Sequence, residues 1–195
     1  RAEIYSGKAL DFDGVNDYVS GTDNLPTSNY TICSYFKVKA FGASHIVFQW
    51  GENTTGKRRA MLIWTGGSGT AMRVVSSTSS SNIAGDTELE TGKWYFACIS
   101  VDDSGNANIY VNGQHDGSGV NTLNSYTAGS YYVGAVLGAG EWMKGQIANA
   151  KVFNVALTAT QVADLYNNPE KVVPTGVDNT ALKLWLPMME GAGTT

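Results

Sequence analysis

The chain has 195 residues, a formal net charge of −4, and 43% hydrophobic against 15% charged residues, which suits one globular domain and excludes a disordered one. Duplex DNA and anionic membrane both require a basic surface, so the acidic balance predicts no nucleic-acid partner. No apolar run approaches the roughly 20 residues that span a bilayer, so no membrane insertion is expected.

The chain starts at Arg1, which reads as a mature form or an excised piece of something longer. Its 23 glycines and 10 tyrosines describe a chain that turns often and packs aromatics between turns, as β-sandwiches and barrels do. Ala9–Asp13 alternates apolar and polar, Gly14–Asp17 turns the chain, and Tyr18-Val19 resumes the pattern. Strand-like runs follow at 31–38, 45–50, 60–64, 71–76, 94–101, 106–111, 131–136, 146–153 and 181–187. Turn signals separate them at Gly51, Gly66–Gly69, Asp103–Gly105 and the hairpin dipeptide Asn112-Gly113. Lys57-Arg58-Arg59 is the one basic cluster and reads as a solvated loop face; Ser76–Ser81 reads as an exposed turn or loop. One helix is expected: Thr158 caps it, Gln161 completes a capping box, and Val162, Leu165 and Tyr166 share a face before Asn167-Asn168-Pro169 ends it.

Cys33 and Cys98 sit in the middle of two of the strand-like runs. They read either as two buried free thiols or as a disulfide, and the latter implies an oxidising setting. If they oppose each other, Ile32, Phe36 and Val38 share a face with Tyr95, Ala97, Ile99 and Val101. That face is apolar and belongs between two sheets. The other, with Tyr35, Lys37, Trp94, Phe96 and Ser100, is aromatic and polar, as a sugar-facing or loop-covered surface requires.

Four segments resemble the laminin G-like domains of the concanavalin A-like lectin/glucanase superfamily: Gly7–Val19, Lys93–Val101, Asn108–Gly113, and Gly145–Leu157 with its helix. The order is also similar to pentraxins, which carry cysteines at equivalent places in the two strands. The resemblance implies an all-β, two-sheet antiparallel jelly-roll sandwich with one short helix near the C-terminus. It implies a single domain over 1–195, with 179–195 either its last strand or the start of a truncated second repeat.

Pentraxins bind calcium through an acidic run shortly before the closing strand, where this chain has Val136–Gly140 and only Glu141 nearby. Relatives with an acid in the closing strand correspond to Ala148 and Asn149 here, and Asp11, Asp13 and Asp17 are few for a hard cation. No cofactor is therefore expected, with calcium left open.

Glucanases of this fold carry catalytic carboxylates at alternating strand positions, and Asp86–Glu90 alternates. It lies between Gly85 and Thr91-Gly92, however, in a loop. His45 reads as a partly buried structural residue and His115 as exposed, and no G-x-S-x-G elbow is present. Binding rather than catalysis is expected.

Trp50, Trp64, Trp142, Tyr35, Tyr131 and Tyr132 offer flat faces on which a sugar ring can pack, whereas Trp94 and Trp185 read as core. The favoured patch is Tyr35, Lys37, Trp50 and Trp64 with the Glu52–Arg59 loop, including Arg58. The expected function is a lectin-like module of an extracellular, cell-surface or virion protein. Its partner would be a glycan or cell-surface polysaccharide, with assembly into a homo-oligomer or something larger. A sugar-free structural or adhesive display module, in a phage virion or cell-surface assembly, is the alternative; glucan hydrolysis is a third reading.

Overall fold

The alternating runs become two facing sheets in the computed structural model, which describes residues 8–22, 25–42, 44–52, 56–64, 71–126, 129–136 and 141–188. Among the described residues the first sheet has seven antiparallel strands. These are β1 (Leu10–Asp13), β3 (Tyr30–Val38), β8 (Trp94–Val101), β9 (Asn106–Val111), β10 (Gln114–Val120), β14 (Lys144–Phe153) and β15 (Leu182–Leu186). Their order is β1-β14-β3-β8-β9-β10, with β15 beside the second half of β14. The second sheet has six: β2 (Val19–Thr22), β4 (His45–Gly51), β5 (Arg58–Trp64), β6 (Arg73–Ser77), β7 (Asn82–Ala84) and β11 (Ser130–Val133), ordered β2-β11-β4-β5-β6-β7. A short ribbon, β12 (Ala135–Val136) with β13 (Glu141–Trp142), flanks it.

Cys33 pairs directly with Cys98 across β3 and β8, and the two form a disulfide. That register sends Ile32, Phe36, Val38, Tyr95, Ala97, Ile99 and Val101 into the space between the sheets, where they meet Phe48, Met61, Ile63 and Val74. Each fully buried aliphatic side chain there stabilises the fold by about 1.5–3 kcal/mol.

The opposite face of the first sheet is covered by α1 (Ala159–Asn167). Thr158 and Gln161 form the capping box, and Val162 and Leu165 bury against the disulfide, Tyr35, Phe96 and Phe153. Tyr166 stacks on Phe96 at 5.9 Å and presses on Gly113, whose φ of +77° closes the β9–β10 hairpin after Asn112. The loop-covered alternative therefore holds for this face.

Four sequence expectations are corrected. Arg58 and Arg59 are not a solvated loop face but the buried start of β5, where strand alternation sends one outward and one inward. Ser76 and Ser77 belong to β6 and, with Thr78, are fully buried, their hydroxyls matched by other side chains. The run at 131–136 breaks at Gly134, where φ is +83° and a Cβ would stand 2.5 Å from the Phe12 ring. Trp185 is 38% exposed rather than core, because β15 is an edge strand; its indole N–H donates to Asn149 Oδ1 at 2.8 Å. β7 and β10 were not legible, being short or rich in glycine and polar residues. The Gly66–Gly69 turn and the 189–195 tail lie outside the described residues.

Lys151, on β14 beside Cys33, is 3% exposed and donates to the Lys171 carbonyl at 2.5 Å. Asp164 holds the covering loop by accepting from Asn168 Nδ2, Lys171 Nζ and Thr175 N. Burial pushes the Lys151 pKa from 10.5 down to about 8. Between those values the unfolded chain binds more protons than the folded one, so this group makes stability rise with pH across that window. Lys151→Met is expected to flatten that rise. At pH 7 it should stabilise by about 2 kcal/mol, less than the burial cost removed because the Lys171 carbonyl loses its donor. Urea denaturation of both proteins at pH 7 and pH 9.5 checks this; an unchanged pH slope refutes it.

Candidate functional site

On β5, Met61 and Ile63 enter the sandwich core, so Arg58, Ala60, Leu62 and Trp64 face outward. Strand register carries this outward set across the sheet. Ser20, Tyr132, Gln49, Ala60, Ser77 and Asn82 form one largely polar row. Ile46, Leu62, Val75 and Ala84 form an apolar one, which clusters with Val136 and Trp64. Gln49 is 3% exposed, and its Oε1 accepts no hydrogen bond among the described residues.

Arg58 donates through Nη2 to Ser77 Oγ at 2.6 Å and places Nη1 4.0 Å from Glu141 Oε2. Burial lowers its pKa and Glu141 opposes that; a guanidinium stays charged regardless. Glu141 also accepts from Ser44 Oγ at 2.5 Å.

The next residue of β13, Trp142, joins an aromatic cluster: Tyr18 lies 6.2 Å, centroid to centroid, from both Trp142 and Tyr132. Trp142 also walls a hollow of about 260 Å³ with Phe41, Ser44, His45, Lys144 and Gly14. Val15, Tyr18 and Phe41, at 66%, 45% and 38% exposure, are three of the five exposed large apolar residues among those described, and all lie in loops at this end. His45 is buried at the base, with Nδ1 3.2 Å from the Trp142 carbonyl and 3.3 Å from the Lys144 backbone N, so the tautomer sets which of the two it bonds. Burial lowers its pKa, against the backbone of Trp142 and Ala40, which favours the neutral imidazole.

The site thus combines half-exposed aromatic faces with a buried guanidinium, a carboxylate and hydroxyl groups, a combination that packs on CH groups and hydrogen-bonds hydroxyls. A larger hollow, about 470 Å³, lies between the β14–α1 connection and residues 176–181, but among the described residues no aromatic side chain lines it.

The patch expected from sequence does not assemble. Tyr35 is 1% exposed beneath α1, 4.8 Å from the Phe96 ring, and burial pushes its phenol pKa up. Lys37, on the same strand face, lies over Trp94 at 5.2 Å. Trp50 is 2% exposed inside the sandwich, its indole donating to the Pro26 carbonyl at 2.9 Å. Only Arg58 and Trp64 share the outer face of the six-stranded sheet. Residues 53–55 of the Glu52–Arg59 loop lie outside the described residues. Trp142 and Tyr132 were legible as aromatic candidates; Tyr18, Phe41, Ser44 and Glu141 were not, since only folding joins their loops.

The candidate calcium carboxylates do not fit one cation site. Asp11 pairs with Lys39 at 2.6 Å, Asp13 accepts from Val15 N and Asn16 N, and Asp17 accepts from Asp13 N. Among the described residues no group of three or more His, Cys, Asp or Glu could hold a metal.

No curated protein matches the chain. Among solved structures it is similar to the native heptameric SAP-like pentraxin of Limulus polyphemus, with a TM-score of 0.67, 19% identity, and 94% of this chain and 89% of that one covered. It is similar to a putative carbohydrate binding protein of Bacteroides ovatus, with a TM-score of 0.70 and 19% identity over 96% of this chain and 53% of that one. Domain 4 of AbnA, an extracellular arabinanase of Geobacillus stearothermophilus in complex with arabinotriose, matches with a TM-score of 0.65 and 25% identity, covering 82% of this chain and 77% of that one. A laminin G family model matches residues 13–163, and with the two-sheet sandwich already in view the chain belongs to the concanavalin A-like lectin/glucanases superfamily.

Proposed function

We propose that the domain is a non-enzymatic carbohydrate-binding module of an extracellular, cell-surface or virion protein, and that it binds sugar where Trp142, Tyr18 and Tyr132 meet the Arg58–Glu141 pair. The observation that carries this reading is the gathering of exposed aromatics around a polar hollow at one end of the sandwich. Carbohydrate-associated structures of the same fold support it. So does the disulfide, which suits an oxidising compartment.

Binding is favoured over hydrolysis by the composition of the face. The outward positions of the described strands of the six-stranded sheet carry no acid, and Glu141 is held by Ser44 and Arg58. Glycosidases need two opposed carboxylates.

A glycan array, followed by calorimetry on the best ligand, tests the reading. Trp142→Ala is expected to weaken that ligand at least about tenfold, from loss of a stacking face. Tyr35→Phe, under α1, should leave affinity within twofold. An array silent across neutral and acidic glycans would favour the sugar-free display module instead.

A further inference from the structure

Lys144 gives the hollow beside Trp142 a charge. Among the described residues its ammonium makes no ion pair and no hydrogen bond, unlike Lys39, Lys57, Lys93 and Lys171, which all pair with acids. Its cross-strand neighbour is Asp13, but that carboxylate is turned back to accept from Val15 N and Asn16 N, and Asp17 accepts from Asp13 N. The acids of the adjoining turn are thus engaged with its backbone.

The stem of Lys144, an exposed residue, packs against the adjoining turn. It lies across Gly14, where an added Cβ would stand 2.8 Å from Lys144 Cβ, 3.1 Å from Cγ and 3.3 Å from Cδ. Gly14 has a φ of +83°, so a side chain there is disfavoured twice. Phe41 and Trp142 add apolar walls and Ser44 a hydroxyl. Among the described residues no carboxylate lines the hollow, and Glu141, next to it, is drawn toward Arg58 and Ser44.

We propose that this hollow is a subsite for a sugar residue bearing a carboxylate. The carboxylate meets the Lys144 ammonium while the ring's CH face packs on Trp142. This rests on the carbohydrate-binding reading and narrows it to acidic glycans. A cation facing an anion beside low-dielectric walls discriminates between a carboxylate and a hydroxymethyl group of similar size.

Paired probes decide it. Methyl glucoside, galactoside and mannoside, each with its uronate counterpart, are titrated into the ¹⁵N-labelled protein at low salt. The readout is the Trp142 indole N–H, assigned by its disappearance in Trp142→Phe. At least one uronate should bind about five- to tenfold more tightly than its neutral partner. Lys144→Gln, or added salt, should remove that advantage. Equal binding of both members of every pair that binds overturns the acidic preference and leaves the carbohydrate reading standing. No shift of the Trp142 signal by any probe overturns both.

Discussion

Replacing Cys33 and Cys98 together with alanine is expected to cost about 4 kcal/mol, because the bond closes a loop of 65 residues whose freedom returns to the unfolded chain. The folded state changes little: β3 and β8 are already paired along their length, and the sulfurs sit in a layer sealed by α1. The cost therefore falls mainly on the unfolded side. For a domain of this size it corresponds to a fall in melting temperature of roughly 8–16 °C. Calorimetry with and without reductant measures it. Reduction should reproduce the effect of the double variant, and a change under 2 °C in both would show that the link constrains nothing.

Arg59→Met should be about as damaging, near 3–5 kcal/mol, although methionine packs well elsewhere. Arg59 is 1% exposed and, among the described residues, pairs with no carboxylate. Its guanidinium donates instead to four carbonyls: Thr27 at 2.6 and 2.8 Å, Gly56 at 2.8 Å, Arg58 at 3.1 Å and Asn124 at 3.1 Å. The Tyr126 ring lies 5.4 Å from its carbon. Three segments far apart in sequence are thereby held at one end of the sandwich. Removing the donors takes both guanidinium bonds from the Thr27 carbonyl and leaves the Gly56 carbonyl with the Asn124 N–H alone. Lysine cannot substitute, since a point ammonium lacks the planar fork that reaches several acceptors at once. Chemical denaturation gives the size, and hydrogen exchange gives the location. Faster exchange around residues 25–27, 56–59 and 124–126 is expected, and an Arg59→Met protein within 1 kcal/mol of wild type would refute the clamp.

The two cases differ in how visible they were. The cysteines lie in strands whose period-2 pattern fixes which residues share a face, so their opposition followed once the strands were paired. The arginines did not announce themselves. A basic triplet beside a glycine-bearing loop looks solvated, and only the position where β5 begins puts Arg59 inside and Arg58 outside. The helix was legible to its capping box because caps are local. What that helix would cover was not. Tyr35 and Phe96 have the amphipathic look of an open binding face, and α1 seals them from more than 60 residues further along the chain.

By itself, then, the sequence determined most of the strands, the inward faces of β3 and β8 and the capped α-helix, because alternation, capping and turn chemistry act over a few residues. Only the tertiary structure decided which outward faces stay open. Exposure depends on what arrives from distant segments, and the convergence of Tyr18, Phe41 and Trp142 at one end of the sandwich is an event of long-range packing that no local pattern encodes.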